Sequence, residues 1–192
     1  MERLLENIED IRIKNVDGQY FVPKAALSDV VSESAVMDCL KSLGVANHEI
    51  IDLTDGILRG AQKCFAILVL IGHERRISAF FQRDSMQTSS PDDRLPYTSE
   101  TLQHILGEEA TGRVIKQFLE KQWEFATPIL YQQRIYRTLN SEVIFPFLHK
   151  VCAGRGSMGT AWKIKLHPQC HRLLLEGDEV SIFGNRLFKN NC

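Results

Sequence analysis

Apolar side chains recur every three or four residues through most of the first 140 positions, a spacing typical of amphipathic helices. The pattern predicts a first helix that ends near the turn pair Asp17-Gly18. A second is expected after Pro23, with Ser32 or Ser34 placed to cap its start and Gly44 placed to end it. A third helix, the longest, is predicted from about Asn47 to Ile71. Its C-terminal half is apolar on all sides, so we expect it to be the central, buried helix.

The helical pattern continues after a polar turn at residues 73–76. Ile77 and Phe80 resume an apolar face, and the polar, proline-containing segment 84–98 is predicted to be a loop. A short helix closed by Gly107 and a stronger helix from Thr111 to Phe125 follow.

Beyond about residue 141 the period changes from that of a helix to that of a strand. Residues 161–166 contain the alternating run Trp162-Lys163-Ile164-Lys165-Leu166, and the run from Val180 to Phe188 is expected to supply a partner strand. The sequence therefore predicts an α+β protein. A mainly helical N-terminal domain, residues 1–142, is followed by a short antiparallel β-hairpin segment, residues 143–192.

The net charge argues against nucleic acid as a partner, and the distribution of charge indicates where an anionic ligand would bind. The chain has 23 Lys and Arg against 24 Asp and Glu, a net charge of −1, so it lacks the overall basic surface of a nucleic-acid-binding protein. The charge is uneven, with a net of −5 in residues 1–60 and +3 in residues 141–192. An anionic ligand is therefore expected in the C-terminal segment.

Hydropathy and cysteine usage predict an intracellular protein, either cytoplasmic or nuclear. The longest apolar run, Cys64 to Ile71, has eight residues, whereas a transmembrane helix needs about 20. The N-terminus lacks the pattern of a secretory signal peptide. The five cysteines are widely spaced and odd in number, so we expect them to be reduced.

The sequence from Gly154 to Gly159 has the form G-x-G-x-x-G. A dinucleotide-binding loop would continue into a helix at the third glycine, but this one continues into the alternating segment 161–166. A glycine turn between two strands is instead typical of the loop that covers ATP phosphates in protein kinases, where glycine lets backbone N–H groups approach the ligand. Arg155, Lys163 and Lys165 would add positive charge. A glycine-rich hairpin without a ligand is the alternative interpretation.

Several short motifs, in order, resemble the front end of a family of filamentous-fungal serine/threonine protein kinase-like proteins. The resemblance spans roughly residues 20–170, and its motifs lie at residues 65–72, 77–81, 95–97, 122–128, 145–147, 154–159 and 163–168. In that family a helical region of unassigned role leads through a Pro-Phe element into the kinase small lobe. The resemblance implies binding of ATP with Mg²⁺, and its nucleotide-binding residues would be Gly154, Arg155, Gly156, Ser157, Gly159, Ala161 and Lys189.

The chain departs from the kinase pattern at several positions. Ala161 stands where kinases usually have valine, and Lys189 follows Phe188 immediately instead of occupying a Phe-Ala-x-Lys segment. No His-Arg-Asp or Asp-Phe-Gly sequence is present, so we predict no catalytic residue in this chain. The expectation is a kinase-like protein truncated before its catalytic lobe, which would phosphorylate Ser/Thr hydroxyls only if the native protein continues past Cys192.

The alternative is a non-catalytic interaction module, in which the helical domain binds a protein partner and the glycine loop is vestigial. A metal site is not predicted. His167, Cys170 and His171 lie within five residues, but a structural zinc site would need a second compact pair of ligands and only scattered cysteines remain.

Overall fold

A computed structural model describes residues 2–82, 89–107, 110–131, 140–156, 159–173 and 179–183. It has the mixed α+β composition that the sequence predicts. The chain divides into two compact units. The helical unit contains Met1–Arg12 and Val22–Ala126, and the β unit contains Ile13–Phe21 and Thr127–Cys192.

Eight α-helices form the described part of the helical unit. They are α1 (Glu2–Asp10), α2 (Lys24–Val30), α3 (Glu33–Ser42), α4 (Asn47–Gly60), α5 (Gln62–Leu70), α6 (Ala79–Gln82), α7 (Ser99–Leu106) and α8 (Gly112–Phe125). Two 3-10 turns, Glu74–Ser78 and Pro91–Arg94, lie between them. Every residue from Cys64 to Val69 is buried, which confirms that α5 is the central helix.

Several predicted helix ends are confirmed. The Ser32 hydroxyl accepts a hydrogen bond from the Ala35 N–H and so caps α3. Gly44 and Gly107 follow α3 and α7 with φ of +73° and +76°, a backbone conformation that glycine adopts without steric cost. Helix α8 matches the predicted segment to within one residue at its start.

The prediction of one long helix from Asn47 to Ile71 is wrong, because the backbone breaks at Ala61, where φ is −134°. Asp92 gives the physical reason. Its carboxylate accepts hydrogen bonds from the N–H groups of Lys63 (2.9 Å) and Cys64 (3.0 Å), which a continuous helix would use internally. The apolar pattern runs across the break unchanged, so hydrophobic spacing could not reveal it.

The first helix also ends earlier than predicted, at Asp10. Residues 13–21 form a hairpin of two short strands, β1 (Ile13–Lys14) and β2 (Tyr20–Phe21), and the pair Asp17-Gly18 lies in its turn. The Asn15 side-chain oxygen accepts hydrogen bonds from the N–H groups of Asp17 (3.0 Å) and Gln19 (2.9 Å). The turn pair was therefore located correctly, but it closes a hairpin instead of ending a helix.

The described part of the β unit has five further strands, which are β3 (Leu130–Tyr131), β4 (Phe147–Gly156), β5 (Gly159–Leu166), β6 (His171–Arg172) and β7 (Glu179–Phe183). β4, β5 and β7 form an antiparallel sheet in that order, and β3 pairs with β6 in parallel. The described core cluster of this sheet is small and consists of Phe147, Ile164 and Leu166, and Phe21, Ile144 and Cys170 of the β unit are buried outside it. β7 provides the predicted partner strand as far as Phe183, and residues 184–188 lie outside the described residues.

The division into units differs from the expected one after residue 142. The helical unit ends at Ala126, and the hairpin of residues 13–21 belongs to the β unit although the helical unit continues after it. Hydrogen bonds to backbone oxygens of residues 145 and 147 account for the assignment of the hairpin to the β unit. The Val16 N–H donates to the Phe147 oxygen (2.8 Å), and the Asn15 side-chain amide donates to the Phe145 oxygen (3.1 Å).

Candidate functional site

The glycine motif lies at the tip of the β4–β5 hairpin. Gly156 faces Gly159 as the last cross-strand pair, preceded by Arg155 facing Thr160 and by Gly154 facing Ala161. Gly159 has a φ of +138°, a backbone conformation that residues with a side chain rarely adopt. The predicted order of strand, glycine turn and strand is therefore present.

Gly154 and Gly156 are not explained by turn geometry or by internal packing. Both lie within β4 and neither has a positive φ. A β-carbon built on either one would meet nothing within 4 Å. Glycine weakens a strand, and a strand glycine often marks a place where a ligand or another backbone approaches closely.

Cross-strand pairing places one set of side chains on a single face of the hairpin. Ala161 and Lys163 alternate with the core-facing Trp162 and Ile164, and Val151 lies opposite Lys163. Val151 is 47% exposed, and Lys163 and Lys165 are exposed as well. This face, which we call the lysine face, combines an apolar surface with positive charge.

The structure brings together only some of the predicted nucleotide-binding residues. Gly154, Gly156, Gly159 and Ala161 are adjacent at the hairpin tip. Arg155 pairs with Thr160, which is next to Ala161 in β5. Successive strand residues point to opposite faces, so Arg155 lies on the side opposite the lysine face. Ser157 and Lys189 are outside the described residues.

Sequence reasoning missed a β-bulge directly before the motif. The register of β4 against β5 shifts between Cys152 and Gly154, so Ala153 is an extra residue in β4. A bulge re-aims the residues that follow it, and bulges are frequent beside binding sites. No sequence signal identifies it, because Ala153 is neither a turn residue nor a break in the hydrophobic pattern.

The His167–Cys170 segment forms a local turn in the β unit. His167 Nδ1 accepts the Gln169 N–H (3.4 Å) and lies 3.8 Å from Cys170 Sγ, and the ring meets Phe21 edge-on with 5.6 Å between centroids. Burial, reinforced by the nearby His171, lowers the pKa of His167, and burial raises the pKa of Cys170 to about 11. Among the described residues, no group of three or more His, Cys, Asp or Glu side chains is arranged to hold a metal ion.

In the part of the chain that the structure describes, no helix is both long enough and apolar enough to span a bilayer. No family model, no curated protein and no solved structure matches the chain. The resemblance to the fungal kinase-like family therefore rests on the sequence motifs alone. Binding of a protein partner by the helical unit also stays a prediction.

Proposed function

We propose that the β4–β5 hairpin is a kinase-type phosphate-covering loop that binds ATP with Mg²⁺. One observation carries this proposal. Gly154 and Gly156 occupy open space with ordinary backbone dihedrals, so neither the turn nor the packing of the residues that the structure describes requires glycine there. Close approach of a ligand to the β4 backbone accounts for both residues, because a side chain at either position would stand between the N–H groups and the phosphates.

The surroundings of the hairpin tip support the same ligand. The three-stranded order β4-β5-β7 has the antiparallel connectivity expected at the start of a kinase small lobe. Ala161, two residues after the third glycine, would present a small apolar surface to the base. Lys163 and Lys165 on the lysine face would favour an anionic ligand electrostatically. Lys189 is a further candidate phosphate ligand from the sequence resemblance.

The proposal is nucleotide binding and does not extend to phosphoryl transfer by these 192 residues. Transfer requires a residue that positions the acceptor hydroxyl and residues that hold magnesium on the phosphates. Kinases supply them from His-Arg-Asp and Asp-Phe-Gly sequences, and neither sequence occurs here. Magnesium that enters together with ATP would supply charge neutralisation at the phosphates.

The proposal is tested by thermal unfolding of the full chain with and without Mg-ATP, using the variants Gly156→Val and Gly112→Val. The two glycines are matched, because both have ordinary φ and open space around a built β-carbon, but Gly112 lies in α8. At a ligand concentration one hundred times Kd, binding stabilises the folded state by about 2.7 kcal/mol, which raises the Tm of a chain of this size by about 5–10 °C. We expect this shift in the wild type and in Gly112→Val, and its loss in Gly156→Val.

Two controls make the result specific to phosphate binding. Adenosine should give no shift, because it lacks the phosphates, and ADP with Mg²⁺ should give a smaller shift than ATP. The Tm without ligand is measured for each variant, so that a change in intrinsic stability is separated from a change in binding. The absence of a shift in the wild type at 10-fold molar steps up to about 10 mM ATP, where a millimolar Kd would be visible, contradicts the proposal. An equal shift in Gly156→Val contradicts it as well.

A further inference from the structure

The chain passes between the helical unit and the β unit three times, after Arg12, after Phe21 and after Ala126. Residues at the first two crossings bond to Glu124 of α8, and Glu124 itself lies close to the third. Arg12 is the last residue before the first crossing, Val22 is the first residue after the second, and Glu124 lies two residues before the end of the helical unit.

Glu124 forms hydrogen bonds through both its carboxylate and its backbone oxygen. Its Oε2 accepts a hydrogen bond from Arg12 Nε (2.7 Å) and its Oε1 accepts one from Arg12 Nη2 (3.1 Å), so the guanidinium is held at two points. Lys121 Nζ also donates to Oε1 (2.9 Å). The Glu124 backbone oxygen accepts the Val22 N–H (2.8 Å).

Stability alone is a weak reason for an ion pair at this place. The Glu124 side chain is 10% exposed and that of Arg12 is 14% exposed, so both charges have lost most of their hydration. Desolvation offsets much of the attraction in such a pair, and a well-packed apolar pair is often equally stable. A pair with fixed two-point geometry does, however, set the position of the two backbones that carry it.

From the hairpin of residues 13–21, hydrogen bonds continue into the sheet of the β unit. The Val16 N–H donates to the Phe147 oxygen at the start of β4, and the Asn15 side chain donates to the Phe145 oxygen. β4 carries the glycine motif at its other end. A chain of bonded residues therefore runs from α8 through Arg12 and Val22 into the hairpin and on to β4.

We infer that Glu124 couples the C-terminal end of α8 to the β1–β2 hairpin. By fixing Arg12 and Val22, the two residues that flank the hairpin, Glu124 makes the opening of the hairpin and of the adjoining start of β4 depend on the state of α8. A partner or ligand that displaces the end of α8 would thereby loosen the strand that carries the glycine motif. Glu124 is a positioning residue in this inference, and the inference does not require that the hairpin bind ATP.

Hydrogen exchange of the full chain, followed by mass spectrometry of its peptides, tests the coupling in the variant Glu124→Gln. Glu120→Gln is the matched control, because Glu120 lies one turn earlier on α8 and, within the described part of the chain, forms an exposed pair with Lys116 at 3.9 Å. In Glu124→Gln we expect exchange in residues 13–21 and 147–151 to accelerate roughly tenfold or more, while α5 exchanges at the wild-type rate. Glu120→Gln should leave all of these rates unchanged.

Two results overturn the inference. One is acceleration confined to residues 10–12 and 121–126, which is local fraying without transmission. The other is an equal acceleration in α5, which is a general loss of stability. Arg12→Lys serves as a second, milder variant should Glu124→Gln fail to fold, since lysine keeps the charge and loses the two-point geometry. It should accelerate the same peptides by a smaller factor, and wild-type rates in those peptides also overturn the inference.

Discussion

Burial divides the cysteines of the described residues into two groups with different reactivity. Cys39, Cys64 and Cys170 are buried, whereas Cys152 is exposed on β4, two residues before the glycine motif. Burial, with a smaller contribution from Glu74, raises the pKa of Cys39 to about 11, and burial raises the pKa of Cys64 well above its ordinary value. The thiolate is the reactive form, so burial protects these thiols both by blocking access of reagents and by keeping the thiol protonated.

We predict that iodoacetamide at pH 8 alkylates Cys152 first among these four cysteines. A pKa of about 11 leaves about one Cys39 thiol in a thousand ionised at pH 8, and Cys152 is the one exposed thiol of the four. The measurement is peptide mapping by mass spectrometry over a time course. Unfolding in guanidinium should abolish the difference. Modification of Cys64 as fast as Cys152 in the native protein would contradict the buried position of α5.

Gln122 shows the kind of residue that sequence reasoning cannot assign. It is buried in α8, where its side-chain oxygen accepts the Tyr97 N–H (2.8 Å) and its amide donates to the Tyr97 oxygen (3.1 Å). The side chain thus satisfies both backbone groups of a residue in a loop. In the sequence it is one polar residue in an amphipathic helix, and nothing local distinguishes it from a solvent-exposed glutamine.

At the scale of elements, Asp92 determines where the central helix begins. Its two carboxylate oxygens bind the N–H groups of Lys63 and Cys64 in the first turn of α5. A negative charge at a helix N-terminus is favourable, and hydrogen bonds to a charged acceptor are stronger than those between neutral groups. The neighbouring Asp93 instead accepts from the Ser90 hydroxyl at an exposed position (2.8 Å).

Replacement of Asp92 by alanine should destabilise the protein by about 2 kcal/mol, because two partly buried N–H groups of α5 lose their acceptor. Asp93→Ala should change the free energy of unfolding by less than about 0.5 kcal/mol, since its hydrogen bond is exposed. Chemical denaturation followed by circular dichroism measures both values. Similar costs for the two variants would show that Asp92 does not have a special role at the start of α5.

Elements were predictable from the sequence where their causes are local. Gly44 and Gly107 end helices, and the alternation of residues 161–166 forms β5, because each signal lies within the element itself. The break at Ala61 depends on Asp92, about thirty residues away, and the strands of the first hairpin have two residues each, too few to show a period. At the candidate site, the glycine turn was predictable for the same local reason. The side taken by Arg155 was not, because it depends on the register of β4 against β5.

At the scale of the whole molecule, the two units have cores of very different size. Twenty-nine buried residues form the described core cluster of the helical unit, whereas the described cluster of the β4–β5 sheet has three. The two tryptophans are divided between the units, with Trp123 in α8 and Trp162 in β5. Each unit therefore carries its own fluorescence probe. A small sheet with so few buried residues is only marginally stable by itself.

Phe147→Ala should unfold the β unit and leave the helical unit folded. Truncation of a buried phenylalanine costs about 3–5 kcal/mol, which is large for a core cluster of three residues. When Phe147→Ala is made in a Trp123→Phe background, the fluorescence emission of Trp162 should shift to longer wavelength. When it is made in a Trp162→Phe background, the emission of Trp123 and the helical circular dichroism should be retained. Phe118→Ala, at an equally buried position of the helical core, should reduce the helical signal. Simultaneous loss of both tryptophan signals in Phe147→Ala would contradict independent cores.

The position of the β1–β2 hairpin also has a consequence during protein synthesis. Residues 13–21 leave the ribosome long before Phe145 and Phe147, whose backbone oxygens accept hydrogen bonds from Asn15 and Val16. At about 5–20 residues per second, translation from Phe21 to Phe147 takes on the order of 6–25 seconds. Phe21 is fully buried in the finished protein, and His167, whose ring meets its own, is made later still. The nascent chain therefore carries the Phe21 side chain without its finished surroundings while most of the helical unit is made.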